Sequence, residues 1–175
     1  MPFLSSFPGS AERPLSDVAA LIVMAPPERE PRIVGREETL LSVLNQEQPP
    51  RLIVIVETSE DPELRGIGVE DLTAEFADTE SGLPSPQVLR VPAQGAPRFG
   101  AAVDEAIAAL PAVLEVRWLW LLHDDVVAEP DALRLLLEKG DQSRNIGAVG
   151  PKQVHYEDPN QLLEVGIDAT STARR

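Results

Sequence analysis

The 175-residue chain carries 29 acidic and 15 basic side chains, a formal net charge of −14. Such a surface repels nucleic-acid phosphates and anionic lipid, which argues against a nucleic-acid partner. The absence of cysteine rules out disulfides and thiolate metal sites, and 4% aromatics within 43% apolar residues leave the core to Leu, Val, Ile and Ala.

The length suits one domain, with a short extension at most. Residues 1–16, rich in Pro, Ser and Gly, read as a flexible N-terminal segment, and 17–175 as the folded domain. No basic stretch followed by a long apolar one opens the chain, so no signal peptide is expected. The longest apolar run, Val18 to Ala25, falls far short of the ~20 residues of a membrane span. A cytoplasmic setting is the default expectation.

That run, closed by Pro26-Pro27, reads as a strand buried on both faces. A polar loop from Glu28 to Arg36 leads to a helix over 37–44, with Leu40, Leu41 and Leu44 at helical spacing and acids in its first turn. Leu52–Val56 is a second buried strand, running into Glu57-Thr58-Ser59. The acidic, Gly- and Pro-containing stretch 60–87 is interrupted by a helix over 69–77, and the acids of 57–80 read as a solvated face. Val88–Val91 is a short strand. A helix over 99–110 presents Ala102, Val103, Ala106, Ile107 and Leu110 on one side. Trp118–Leu122 is another short strand and reads as buried, followed by a helix from Pro130 to Lys139 with Gly140 just past its end. Ile146–Gly150 and Leu162–Asp168 close the series as strands. Strands alternating with helices imply an α/β fold: a mainly parallel sheet with helices on both faces, and ligands bound beyond the carboxyl ends of its strands.

Those ends carry the chemistry. Trp118–Leu122 is apolar and runs through His123 into the adjacent acids Asp124 and Asp125. Two carboxylates ~4 Å apart at an effective dielectric of ~20 repel by about 4 kcal/mol. A hard divalent cation offsets that repulsion and bridges to phosphates, so a metal–phosphate site is the leading reading. A solvated loop is the plain alternative; capping the next helix fits less well, because the pair precedes Pro130 by too many residues. His123 reads as a packed, hydrogen-bonded side chain rather than a ligand. Trp118 and Trp120 share a strand face and read as core, and Lys152, His155 and Tyr156 as surface loop. Neither G-x-G-x-x-G nor a P-loop motif is present.

In this order, Glu57-Thr58-Ser59, the R-F-G-A-A-V helix start at 98–103, W-L-W-L-L-H-D-D at 118–125, E-P-D-A-L at 129–133 and I-G-A-V-G-P-K at 146–152 resemble the nucleotide-binding half of a family 2 glycosyltransferase of GT-A fold. The pattern looks most like actinobacterial members and covers about residues 17–170. The resemblance implies a Rossmann-like domain that binds a nucleoside-diphosphate sugar with Mg²⁺ or Mn²⁺ and passes the sugar, with inversion, to a glycan or lipid-linked acceptor. It implies donor contacts from Ala25, Pro26, Glu57, Arg98 and Asp124, with Glu57 at the base, Asp124 near ribose and diphosphate, and Asp125 holding the metal.

The chain also departs from that pattern. His123 stands at the first position of the acidic triplet, and Glu57 where Asp is common, which leaves the donor open. The general base of the family lies in a later acidic motif, and nothing after Pro151 matches it. The expectation is therefore a C-terminally truncated domain whose catalytic base lies outside the chain, and whose parent meets the inner face of a membrane through other parts. A truncated domain leaves an apolar face open, so a homo-oligomer is expected. The alternative is a non-catalytic Rossmann-like interaction module derived from such an enzyme.

Overall fold

The computed structural model describes residues 14–25, 33–58, 68–77, 84–93, 95–96, 98–110 and 115–165. In chain order the elements are β1 (Ser16–Met24), α1 (Arg36–Leu44), β2 (Pro50–Glu57), β3 (Glu70–Asp71), α2 (Thr73–Phe76), β4 (Gln87–Pro92), α3 (Phe99–Ala109), β5 (Trp118–His123), α4 (Ala132–Gly140), β6 (Lys152–Val154) and β7 (Leu162–Val165).

The main sheet has the order β3-β4-β2-β1-β5. β1, β2, β4 and β5 are parallel, and only β3 runs antiparallel, against β4. The chain builds outward from β1 through β2 to β4, then returns to add β5 on the other side of β1. The connections therefore diverge on either side of β1, which makes its carboxyl end the topological switch point. β1 has neighbours on both edges, and Val18 through Ile22 have no exposed surface. Burying a side chain such as Leu21 stabilises the fold by about 1.5–3 kcal/mol.

The period of two sorts the strand residues onto two faces. Ala19, Leu21, Val23, Val54, Val56 and Val91 pack with Ala102, Val103 and Ala106 of α3. Ala20, Ile22, Met24, Ile53, Ile55 and Val88 pack with Leu40 and Val43 of α1. The expected α/β sheet with helices on both faces is thus what forms. α1 opens as its sequence suggests: Glu37 and Glu38 lie in its first turn, and the Glu38 carboxylate accepts the Gly35 N–H at 2.9 Å.

Several elements differ from expectation. Residues 69–77 form a short antiparallel strand and one helical turn, because Glu70 and Asp71 pair with the exposed edge of β4. Ile146–Gly150 is irregular rather than a strand. Its small side chains and two glycines offer little to pack in a sheet. α4 starts at Ala132, with Pro130 in the preceding turn, and Gly140 lies inside its last turn. That glycine is needed for space: a Cβ there would sit 2.8 Å from the Trp118 ring. Ser16 belongs to β1, its hydroxyl donating to the Pro49 carbonyl at 2.9 Å, and the remainder of the segment expected to be flexible lies almost wholly outside the described residues. β6 and β7 pair only with each other, as a second, two-stranded sheet.

Candidate functional site

The parallel register brings the carboxyl ends of three strands level. Met24 of β1 lies opposite Glu57 of β2, and Val23 opposite His123 of β5. Thr58 ties two of these ends together, its N–H and hydroxyl both donating to the Met24 carbonyl, at 3.2 and 2.6 Å. The next residue of β1's chain, Ala25, and the next of β5's, Asp124, meet directly: the Asp124 Oδ2 accepts the Ala25 N–H at 3.0 Å.

Asp124 is only 2% exposed. A carboxylate out of water needs charge and hydrogen-bond partners. Besides the Ala25 amide it has Arg36, whose Nε lies 3.2 Å away. The same guanidinium puts Nη1 3.7 Å from Glu57 Oε2 and donates through Nη2 to the Ala25 carbonyl. One planar fork therefore joins the ends of β1, β2 and β5, each through a different nitrogen. A lysine ammonium, a point charge on a flexible stem, lacks that geometry.

Arg36 was not singled out by the sequence, where it closes a polar loop. Its position as first residue of the helix after β1, in a chain with acids at two later strand ends, is the one available signal. The pairing itself spans distant parts of the chain.

Asp125 behaves differently from its neighbour. It is exposed and makes no hydrogen bond or ion pair among the described residues. The pair of acids thus divides, one turned into the protein and one turned out. Among the described residues no three His, Asp or Glu side chains converge into a cage that would hold a metal by protein ligands alone. Mg²⁺ and similar hard cations are ordinarily held by one or two carboxylates together with substrate phosphates and water. Asp125, open to solvent beside Asp124, suits that donor set.

His123 is exposed, and its ring centroid lies 4.3 Å from that of Phe99, tilted by 32°. This places the N-terminus of α3 at the same end of the sheet, where unpaired backbone N–H groups favour an anion. Arg98, the residue before that helix, is exposed and forms no ion pair among the described residues. Of the donor contacts expected from sequence, Ala25, Glu57 and Asp124 come together around Arg36, Asp125 adjoins them, and Arg98 lies at the opening of α3. Pro26 lies outside the described residues. Trp118 and Trp120 pack against α4 and the α1-side core respectively and stay half-buried, because β5 is an edge strand and not the buried one expected. Of the three residues expected in a surface loop, Lys152 belongs to strand β6, His155 is half-buried with its N–H donating to the Gln161 carbonyl at 2.9 Å, and Tyr156 is exposed beside the hairpin sheet. No helix among the described residues is long and apolar enough to cross a membrane.

Neither a curated protein nor a solved structure gives a significant match to this chain. The sequence profile described as glycosyltransferase like family 2 matches residues 19–175, from within β1 through β5, its acids and the hairpin sheet. With that match spanning nearly the whole chain, and the acids gathered where an α/β sheet binds its ligands, the chain belongs to the glycosyltransferase like family 2.

Proposed function

We propose that this chain is the donor-binding part of an inverting glycosyltransferase, which takes a nucleoside-diphosphate sugar and a divalent cation, Mg²⁺ or Mn²⁺, and serves a glycan or lipid-linked acceptor. The observation that carries the reading is the contrast within Asp124-Asp125 at the switch point. Asp124 is buried and clamped, while Asp125 is open with no protein partner among the described residues.

In this reading Asp125 holds the cation against the diphosphate. When bound, the cation supplies Lewis-acid neutralisation of the charge developing on the departing nucleoside diphosphate. Asp124 keeps the segment in place and borders the ribose side of the crevice. Glu57 faces the base, Ala25 lines the floor, and Arg98 with the α3 N-terminus meets the negative charge of the donor. The acceptor hydroxyl needs a general base. No residue described above is assigned that role. The setting is cytoplasmic, with the acceptor presented at the inner face of a membrane.

A second reading, a non-catalytic interaction module, draws support from Arg36, whose guanidinium lies between the strand ends that a donor would use. Thermal unfolding with Mn²⁺ and UDP, dTDP or GDP, each alone and together, separates the two. Ligand at 100 times its dissociation constant adds about 2.7 kcal/mol, a rise of roughly 5–10 °C for a domain of this size. The donor-site reading expects that rise with one nucleotide only when Mn²⁺ is present, and its loss in Asp125→Ala. A folded chain that shifts with none of them supports the interaction module instead.

A further inference from the structure

Helix α1 grips the chain that follows β5 at both of its ends. At its first residue, Arg36 holds Asp124. Just beyond its last residue, Gln46 is fully buried and uses both ends of its amide. Its Nε2 donates to the Ser42 carbonyl at 2.9 Å and to the Glu129 carbonyl at 2.8 Å, and its Oε1 accepts the Leu133 N–H at 2.9 Å. Two neighbours extend the grip. The Ser42 hydroxyl accepts the Ala128 N–H at 3.1 Å, and the Glu47 N–H donates to the Pro130 carbonyl at 2.7 Å.

Residues 126–129 belong to neither helix nor strand, so their backbone groups need partners from elsewhere. Ser42 of α1 supplies one for the Ala128 N–H, and Gln46 one for the Glu129 carbonyl. The Ser42 carbonyl is itself one of the last-turn acceptors that a helix leaves unpaired, and Gln46 satisfies it in the same bond set. Surface ion pairs from Arg134 to Glu47, Asp131 and Glu138 add only solvent-screened contacts. Asp125 therefore stands between two fixed points, Asp124 before it and Ala128 after it. Both are fixed by one rigid helix whose Val43 is fully buried against the sheet.

We propose that Gln46 is a positioning residue for Asp125. Together with Arg36 at the opposite end of α1, it fixes segment 124–133 so that the Asp125 carboxylate is held where a nucleotide-bound divalent cation would meet it. A metal-binding carboxylate works only if its supporting shell holds it within about 0.5 Å of its productive place. The proposal rests on the donor-site reading above and names residues that the reading does not need.

The test uses the full chain and two variants of α1. Gln46→Met keeps the bulk of the side chain and removes all of its hydrogen bonds. Val43→Ala loosens the same helix against the sheet and leaves the grip intact. Dissociation constants for UDP, dTDP and GDP, with and without Mn²⁺, are measured by calorimetry alongside the melting temperature. Gln46→Met is expected to lose about 10-fold or more of the Mn²⁺-dependent affinity, within the 10- to 100-fold range for residues that orient metal ligands. Its metal-free affinity should stay near wild type. Val43→Ala should melt earlier and keep the Mn²⁺ dependence of wild type.

Unchanged Mn²⁺-dependent affinity in Gln46→Met overturns the positioning role and leaves the donor site standing. An equal loss in Val43→Ala also overturns it, since general loosening of α1 would then suffice. If Gln46→Met does not fold, Ser42→Ala removes the Ala128 anchor together with the Ser42 hydroxyl's own bond to the Thr39 carbonyl inside α1: a smaller loss in the same direction supports the role, and no loss overturns it. A folded wild-type chain that binds none of the nucleotides with Mn²⁺ removes the donor-site reading, and this proposal with it.

Discussion

The two adjacent acids at the end of β5 are chemically alike and structurally opposed. Asp124→Ala removes the partner of the Ala25 N–H and one of the three partners of the Arg36 guanidinium. We expect a loss of about 2–3 kcal/mol in urea unfolding. That is less than the ~3–5 kcal/mol for breaking a fully buried pair, because the Arg36 side chain is 33% exposed. Asp125→Ala should change stability by no more than about 0.5 kcal/mol, as for an exposed residue that has no partner among the described residues. A large loss of stability in Asp125→Ala would mean that the outward carboxylate holds the fold and is not reserved for a ligand. The sequence marks both acids, but it cannot say which one turns inward. That choice follows from Ala25 and Arg36, which reach Asp124 only after β1 and β5 have paired.

At the scale of elements, the apolar runs were legible because a strand covered on both faces must be continuous in Val, Ile, Leu and Ala, as β1 and β2 are. The least legible elements were those whose form depends on a neighbour. Asp71 and Thr73 illustrate the point. The Thr73 hydroxyl and N–H both bond the Asp71 carboxylate and hold it below its ordinary value of 3.8. A carboxyl depressed in the folded state stabilises above that ordinary value, and its contribution is lost as pH falls through the folded one. An NMR titration should therefore find Asp71 below 3.8, and higher in Thr73→Ala. Gly140 is another case. Alanine would gain helix propensity of about 1 kcal/mol. Its Cβ would also lie 2.8 Å from the Trp118 ring, an overpacking that costs about 1–3 kcal/mol. Gly140→Ala should thus lower the urea midpoint, whereas Gly147→Ala, with no atom within 4 Å of the added Cβ, should not.

For the whole molecule, stability should be distributed unevenly. β1 and β2 are paired on both edges and buried, while β6 and β7 form a two-stranded sheet with Leu162, Leu163 and Val165 more than half exposed. An isolated pair of strands is marginal in water. Hydrogen exchange should be slowest in β1 and β2 and fast in β6 and β7. Equal protection would mean that the hairpin sheet is covered in solution, as a self-associating chain would cover it. The charge of −14 adds a second global effect. Self-repulsion among acids opposes the compact state and is screened by salt. The melting temperature should therefore rise between low and high NaCl, and a fall would mean that the surface ion pairs outweigh the repulsion.

Composition and local pattern determined the alternation of strands and helices, the acids waiting at strand ends and the family to which the chain belongs, because each is written in short stretches of residues. Tertiary structure alone decided that β1 lies at the switch point between β2 and β5, that Arg36 joins three strand ends, and that α1 holds both ends of the segment bearing Asp125. Those are pairings between residues far apart in the chain. Their partners are chosen by strand order and register, which no local sequence signal specifies.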